Sequence, residues 1–370
     1  MFLALREMRH SQLRYLLLGT VITLIACLAF LLSGLANGLA KDNAGALQRM
    51  PTDFFVLQAG ARTQIGRSIL PASILSEVRQ VPGVTSAAPI GQTLLSVKSE
   101  AGGDQLDATM LGIEPGSFIA PRLVEGAPLS LARENGVVVD ARLHEKGVIL
   151  GDVLVVQPTG EQLEVVGFTT GQMLTHTPVL YATISQWQKL RFAAPGSAGG
   201  VRDPINAVAV QADQGAATRI GEAVPGVEVA SRETAVSKVP GYSEESGSLQ
   251  MIQGFLFSIA ALILAVFFYI ITLQKTAQFG ILKAIGAGTG FLARDLLVQV
   301  VLLTVGGIAV GAVLTFGIAA LIPPAVPFAL DASVVLSYGS VLLVVALLGM
   351  LLSLRRIATI DPLIAIGRND

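Results

Sequence analysis

The sequence predicts an α-helical membrane protein with four transmembrane helices arranged 1+3, and a mixed α/β extracytoplasmic domain inserted between the first and second. Three observations predict this. Of the 370 residues 52% are apolar and only 14% are charged, against about 25% charged in an ordinary soluble domain. The apolar excess is gathered into blocks without Asp, Glu, Lys or Arg, at 15–40, 247–274, 296–330 and 332–354. The polar residues gather in one long stretch, 41–246.

A helix needs about 20 apolar residues to cross the hydrocarbon layer. Each block therefore supplies one crossing: 15–40, 249–274, 296–322 and 332–354. Pro323, Pro324 and Pro327 end the third crossing and leave 323–331 as a short outer loop. The first block is too long for the apolar core of a cleaved signal peptide, so it reads as a retained span.

Orientation follows from the cations in the short flanks. Arg6, Arg9 and Arg14 precede the first span. Lys275, Lys283 and Arg294 lie between the second and third, and Arg355, Arg356 and Arg368 follow the fourth. The loop 323–331 has no Lys or Arg. Both termini are thus expected in the cytoplasm. Residues 1–14 mix Leu3, Leu5, Met8 and Leu13 with Arg6, Arg9 and His10, a pattern for an interfacial helix at the headgroups. The tail 355–370 is expected on the same side.

Within 41–246, strands are expected at 52–58, 92–97, 105–112, 136–140, 153–157, 162–168 and 207–211, where runs of Val, Leu and Phe are bounded by Gly, Pro, Asp and Ser. Helices are expected at 71–81 and 215–224. Each ends on nearly the same phrase, VPGVTSA at 81–87 and VPGVEVA at 224–230, which suggests two αβ units packed as quasi-repeats. Residues 195–204 read as a loop and 238–248 as a polar linker into the second span.

Absent motifs narrow the function. There is no GxxxxGK[ST], HExxH, GxSxG or CxxC, and Cys27 is the single cysteine. The chain offers no catalytic residue, no metal site and no intrinsic cofactor. The net charge of −1 argues against nucleic acid as a partner. No central span residue is ionisable, so an uphill transporter of this design needs an energy source outside the chain. Between the second and third spans, Phe279, Ile281, Leu282 and Ile285 put an apolar stripe on a short helix, which Gly286, Ala287 and Gly288 then break. Such a helix in 275–294 either docks in a groove on another protein or lies flat in the headgroups.

The phrase FGILKAIGA at 279–287, the closing RRIATIDPLIAI at 355–366, and the stretch 136–181 with GDV at 151–153 and VVGF at 165–168 resemble the FtsX-like/MacB-type ABC transporter permease family. The order of one span, a large outer domain and three spans resembles it too. Most similar are its small four-helix haem-exporter (HrtB-like) permeases. The resemblance implies a homodimer in the lipid bilayer of a bacterial inner membrane, paired with two copies of a cytoplasmic ABC ATPase. It implies that Phe279, Gly280, Ile281, Leu282, Lys283, Ala284, Ile285 and Gly286 form the coupling helix. ATP hydrolysis in the partner would then drive the outer domain by mechanotransmission, to extrude an amphipathic toxic compound, with haem the best guess.

For a haem-sized cargo, candidates follow the first span (Asn37, Lys41, Met50, Phe54, Phe55) or open the second (Tyr242, Glu244, Glu245, Met251), with Tyr181 as an aromatic wall from the outer domain. Tyr242 or Glu244 would ligate ferric iron and Lys41 would meet a propionate. Plainer readings stand beside these. Ser243–Ser246 is also an ordinary helix start, one of Phe54 and Phe55 belongs to the core, and Tyr181, Met50 and Met251 suit packing. Two alternatives remain open: an FtsX-type transmitter that regulates an external cell-wall hydrolase without transport, and lipoprotein, macrolide or peptide efflux.

Overall fold

The computed structural model describes residues 12–100, 102, 104–194, 196–323 and 326–358. The expected interfacial helix 1–14 falls almost wholly outside the described residues, as does most of the tail 355–370. The chain divides into two compact units, 39–245 and 1–38 with 246–370.

Among the described residues, four helices are long and apolar enough to cross a membrane: α1 (Gln12–Arg49), α6 (Tyr242–Gln274), α8 (Thr289–Ala319) and α9 (Ala332–Ala358). The inner core of the helical unit, 1–38 with 246–370, gathers Tyr15, Leu18 and Ile22 of α1, Leu264 and Phe268 of α6, Leu292, Leu296, Val300 and Leu303 of α8, and Ala346 and Met350 of α9. Small residues set the closest approach. A methyl group added at Gly307 would lie 2.6 Å from Ile22 Cγ2, and one at Gly311 would lie 2.8 Å from Ala26 Cβ. The Gly307-x3-Gly311 pair is therefore a seam between α8 and α1 of the same chain. Gly34 and Gly38 instead receive Phe328 and Pro327 of the 323–331 loop.

Two helices outgrow their apolar blocks. Helix α1 continues to Arg49, with a departure from helical geometry at Ala44 (φ −137°). Helix α6 starts at Tyr242 rather than after a linker, because Glu244 and Glu245 in its first turn suit the positive end of the helix dipole.

The inserted unit holds a mixed sheet and a separate antiparallel pair. The strands of the unit are β1 (Phe54–Gln58), β2 (Leu70–Pro71), β3 (Val84–Ser99), β4 (Leu106–Ile113), β5 (Leu123–Gly126), β6 (Gly136–Asp140), β7 (Val153–Gln157), β8 (Gln162–Thr169), β9 (Met173–Leu174), β10 (Thr177–Thr183), β11 (Pro204–Ile205), β12 (Ala207–Ala212) and β13 (Val227–Ser231). The separate pair is β2 with β11. The main order is β13-β1-β12-β3-β4-β10-β6-β8-β5, with β7 bridging β3 and β8. β10 runs parallel to β4, and β6 parallel to β8; the other pairs are antiparallel. Helices α2 (Ser73–Arg79), α3 (Ile184–Arg191), α4 (Ala216–Ala223) and α5 (Arg232–Ser237) cover it.

The repeated phrases have a common geometry. Gly83 and Gly226 sit at φ +91° and +80°, turning the chain out of α2 into β3 and out of α4 into β13. Ile74 and Val78 of α2 and Ala216 and Ile220 of α4 share one apolar cluster. A second cluster surrounds Trp187 of α3. Gly91 and Gly112 leave room for its indole, since a Cβ at Gly91 would sit on the ring. Gly91→Ala is expected to cost about 1–3 kcal/mol through overpacking. An unshifted thermal melt of the variant would show that Trp187 can move aside.

Candidate functional site

The helical unit carries the first candidate. Helix α7 (Thr276–Ala284) follows α6 directly and contains Phe279, Gly280, Ile281, Leu282, Lys283 and Ala284. Its end is closed by two hydrogen bonds. Gly286 N donates to Lys283 O at 3.0 Å, and Ala287 N donates to Leu282 O at 2.8 Å. With Gly286 at φ +102°, this is the Schellman arrangement, which favours glycine at that position. Leu282 packs against the inner core of the helical unit. Ile281 and Ile285, one turn apart, are 55% and 76% exposed. The expected single stripe is thus divided: Leu282 turns inward and the two isoleucines form an outward ridge.

The start of α7 is tied down by a polar cluster. Lys275 Nζ donates to Tyr15 Oη and to Gln299 Oε1, both at 3.0 Å. Tyr15 Oη donates to Gln299 Oε1 at 2.9 Å, and Gln299 Nε2 donates to Asp295 Oδ2 at 2.9 Å. Tyr15, Gln299 and Asp295 are buried. Buried polar groups that satisfy one another hold a single arrangement. The residue before α7 is thereby joined to α1 and α8. Sequence reasoning used Lys275 only to orient the chain and placed Asp295 outside the third span. In the structure Asp295 lies in the second turn of α8.

In the inserted unit, the substrate candidates separate into two places. At the first, Glu245 accepts hydrogen bonds from Asn43 Nδ2 at 3.2 Å and pairs with His176 Nε2 at 3.0 Å. Gln48 Nε2 donates to Tyr242 Oη at 3.3 Å. Asn43 is fully buried, and its Oδ1 has no hydrogen-bond partner among the described residues. Glu244 is exposed beside Ser243, which donates to it at 3.2 Å, and Lys41 is half-buried. His176 escaped the sequence reading because its partner is 69 residues away. It sits with Thr175 at positive φ, 59° and 49°, a backbone geometry uncommon outside glycine, and no short motif announces it.

At the second place, Met50 and Tyr181 line one cleft. Tyr181 is buried and donates to Gln172 Oε1 at 2.7 Å. Burial, reinforced by the neighbouring Asp140 charge, pushes its hydroxyl well above the usual tyrosine range. Asp140 accepts from Arg142 N at 3.0 Å and Gln172 N at 2.6 Å. Burial raises its carboxyl despite these bonds.

Phe55 lies inside one apolar cluster and Phe54 packs on another, so neither lines the cleft. In the helical unit, Asn37 Nδ2 donates to Ala329 O at 3.1 Å and to Asp331 Oδ2 at 3.4 Å, tying α1 to the 323–331 loop. Met251 is exposed on α6.

With this geometry established, the chain can be set beside known proteins. A family model described as MacB-like periplasmic core domain matches residues 16–227, and one described as FtsX-like permease C-terminal matches 251–362. The chain belongs to the FtsX-like, MacB-type ABC transporter permeases. Relatives of this permease include proteins carrying the name "Putative hemin transport system permease protein HrtB". That of Staphylococcus epidermidis is 27% identical and that of Staphylococcus haemolyticus 26%, each over 99% of both chains. An uncharacterized ABC transporter permease of Mycobacterium tuberculosis is 27% identical, also over 99% of both. Among solved structures, the periplasmic region of MacB from Actinobacillus actinomycetemcomitans matches at TM-score 0.36 and 14% identity, over 52% of this permease and 94% of that chain.

Proposed function

We propose that this permease, as a homodimer with two cytoplasmic ABC ATPase subunits, extrudes haem from the inner membrane. The observation that carries this reading is the end-to-end match to hemin-transport relatives, 99% of both chains. The local geometry supports it. Helix α7 offers an exposed isoleucine ridge on a pinned base, as docking in an ATPase groove requires. The inserted unit gathers donors at the start of α6, where Tyr242, Glu244 and Glu245 are joined by His176. Ferric iron accepts oxygen donors of the first three kinds or the imidazole of the fourth. ATP binding and hydrolysis in the partner would move α7, and through the helices the inserted unit.

The test is a hemin titration of the chain co-purified with its ATPase, read in the Soret band. A saturable shift is expected, weakened by Tyr242→Phe, Glu244→Ala or His176→Ala, together with ATP-dependent loss of hemin from liposomes. No saturable shift in the wild type would remove haem as cargo. The FtsX-like match at 251–362 gives a second reading, regulation of an outer hydrolase. It requires a protein bound to residues 41–246 and no hemin movement.

A further inference from the structure

We propose that the cleft between the end of α1, the 118–122 segment and the 169–172 turn is a second binding site, which takes the carboxylate end of an amphipathic anion. The inference rests on the amphipathic-cargo reading above, and it places a station for that cargo within the inserted unit, apart from the donors around Glu245.

Size comes first. The cleft holds about 510 Å³, within the roughly 300–1,000 Å³ of small-molecule sites. Its walls combine Met50, Phe118, Ile119 and Tyr181 with two arginines, Arg49 and Arg122, and among the described residues no acidic side chain lines it. Two cations against apolar walls complement a molecule that is greasy at one end and anionic at the other.

The arginines differ in how they are held. Arg49, the last residue of α1, lays its guanidinium on Gly171, where a Cβ would collide with it. Its Nη1 donates to Thr170 O at 2.8 Å. Gly171 itself stands at φ +67°, so glycine serves both the turn and the cation. Arg122 is exposed and makes no ion pair among the described residues. Its carbonyl accepts from Thr169 Oγ1 at 2.8 Å, which fixes the segment across the mouth. One cation is pre-set and the other is available. A guanidinium fork matches a carboxylate in geometry as well as charge. Asp140, whose charge reaches Arg49 from outside the lining, already accepts two backbone N–H groups.

The probe is metal-free protoporphyrin IX, a dicarboxylate, beside its uncharged dimethyl ester, on the full chain in phosphatidylcholine nanodiscs. Trp187 is the single tryptophan and belongs to the inserted unit, so quenching of its emission reports binding there. The acid is expected to bind saturably and the ester only by non-saturable partition into lipid. Arg122→Gln should weaken the acid about tenfold, the effect of one charge-assisted bond. Arg49→Gln/Arg122→Gln should weaken it further. The single variant guards against misfolding, because Arg122 is exposed. Equal binding of acid and ester, or wild-type affinity in Arg122→Gln, overturns the cleft. A normal hemin Soret response alongside that result leaves the export reading standing. Acid-selective, arginine-dependent binding without any hemin response keeps the cleft and removes haem. Saturable binding of neither overturns both.

Discussion

Ile281→Asp/Ile285→Asp should separate the permease from its ATPase while leaving its own fold intact. Both side chains are exposed, Ile281 on α7 and Ile285 at its C-cap, so neither substitution opens a cavity. Burying an isoleucine contributes about 1.5–3 kcal/mol. Losing two amounts to at least a hundredfold in affinity, before the cost of facing two carboxylates to an apolar groove is added. Gly286→Val should act by a different route. It places a β-branched residue at φ +102°, a strain of about 1–3 kcal/mol that loosens the Schellman closure and lets the ridge wander. Co-purification of the ATPase and its hydrolysis rate in liposomes are the measurements. If the double variant still co-purifies in full and hydrolyses ATP at the wild-type rate, α7 is not the docking element. A change confined to lipid partition would instead assign the ridge to the headgroups.

The short helix α7 was legible because its signals are local. An apolar spacing of four, a glycine stop and flanking cations all fall within 275–294. The spans were legible for the same reason: charge-free length is read directly from the chain. Helix boundaries were less so. The apolar block ends at Ala40, but α1 continues to Arg49 because Asp42, Asn43 and Gln48 find partners in the inserted unit, and hydropathy does not record them.

The sheet shows a second limit. Strand β10 is central, lying between β4 and β6, yet it was not among the expected strands. Its run opens with Thr177-Pro178, and a proline argues against a central strand. The conflict disappears in the structure, because Pro178 pairs with Met173 of β9, while pairing with β4 begins at Val179. Helix α3 did carry a signal that went unused. Thr183-Ile-Ser-Gln186 has the spelling of a capping box, and Gln186 N donates to Thr183 Oγ1 at 3.2 Å. The donors around Glu245 and the arginines of the cleft come from segments far apart in sequence. Met50 and Tyr181 were named as candidates for a haem-sized cargo, and only the fold puts Arg49 and Arg122 beside them.

Asp42→Ala should produce the largest loss inside the inserted unit, and one that uncouples hydrolysis from release. Asp42 is buried and takes a two-pronged bond from Arg142, Nη2 to Oδ1 at 2.7 Å and Nη1 to Oδ2 at 2.9 Å. Its carbonyl accepts from His176 N at 3.2 Å, and that of Asn43 from Thr175 N at 2.8 Å. The continuation of α1 is therefore fastened to the loop after β6 and to the β9–β10 turn. Removing the carboxylate leaves a guanidinium that is one-third exposed, so solvent moderates the penalty to about 2–3 kcal/mol. For a unit of this size that is a fall of about 5–10 °C in melting temperature. A double-mutant cycle with Arg142→Ala should return a coupling of about 1–3 kcal/mol. If motion reaches the inserted unit through α1, ATP hydrolysis should continue in Asp42→Ala while hemin release from liposomes falls at least tenfold, the stability loss being countered by assaying well below the melt. A coupling near zero would show that the ion pair holds nothing together. Hydrolysis and release falling in parallel would show that force does not travel along this helix.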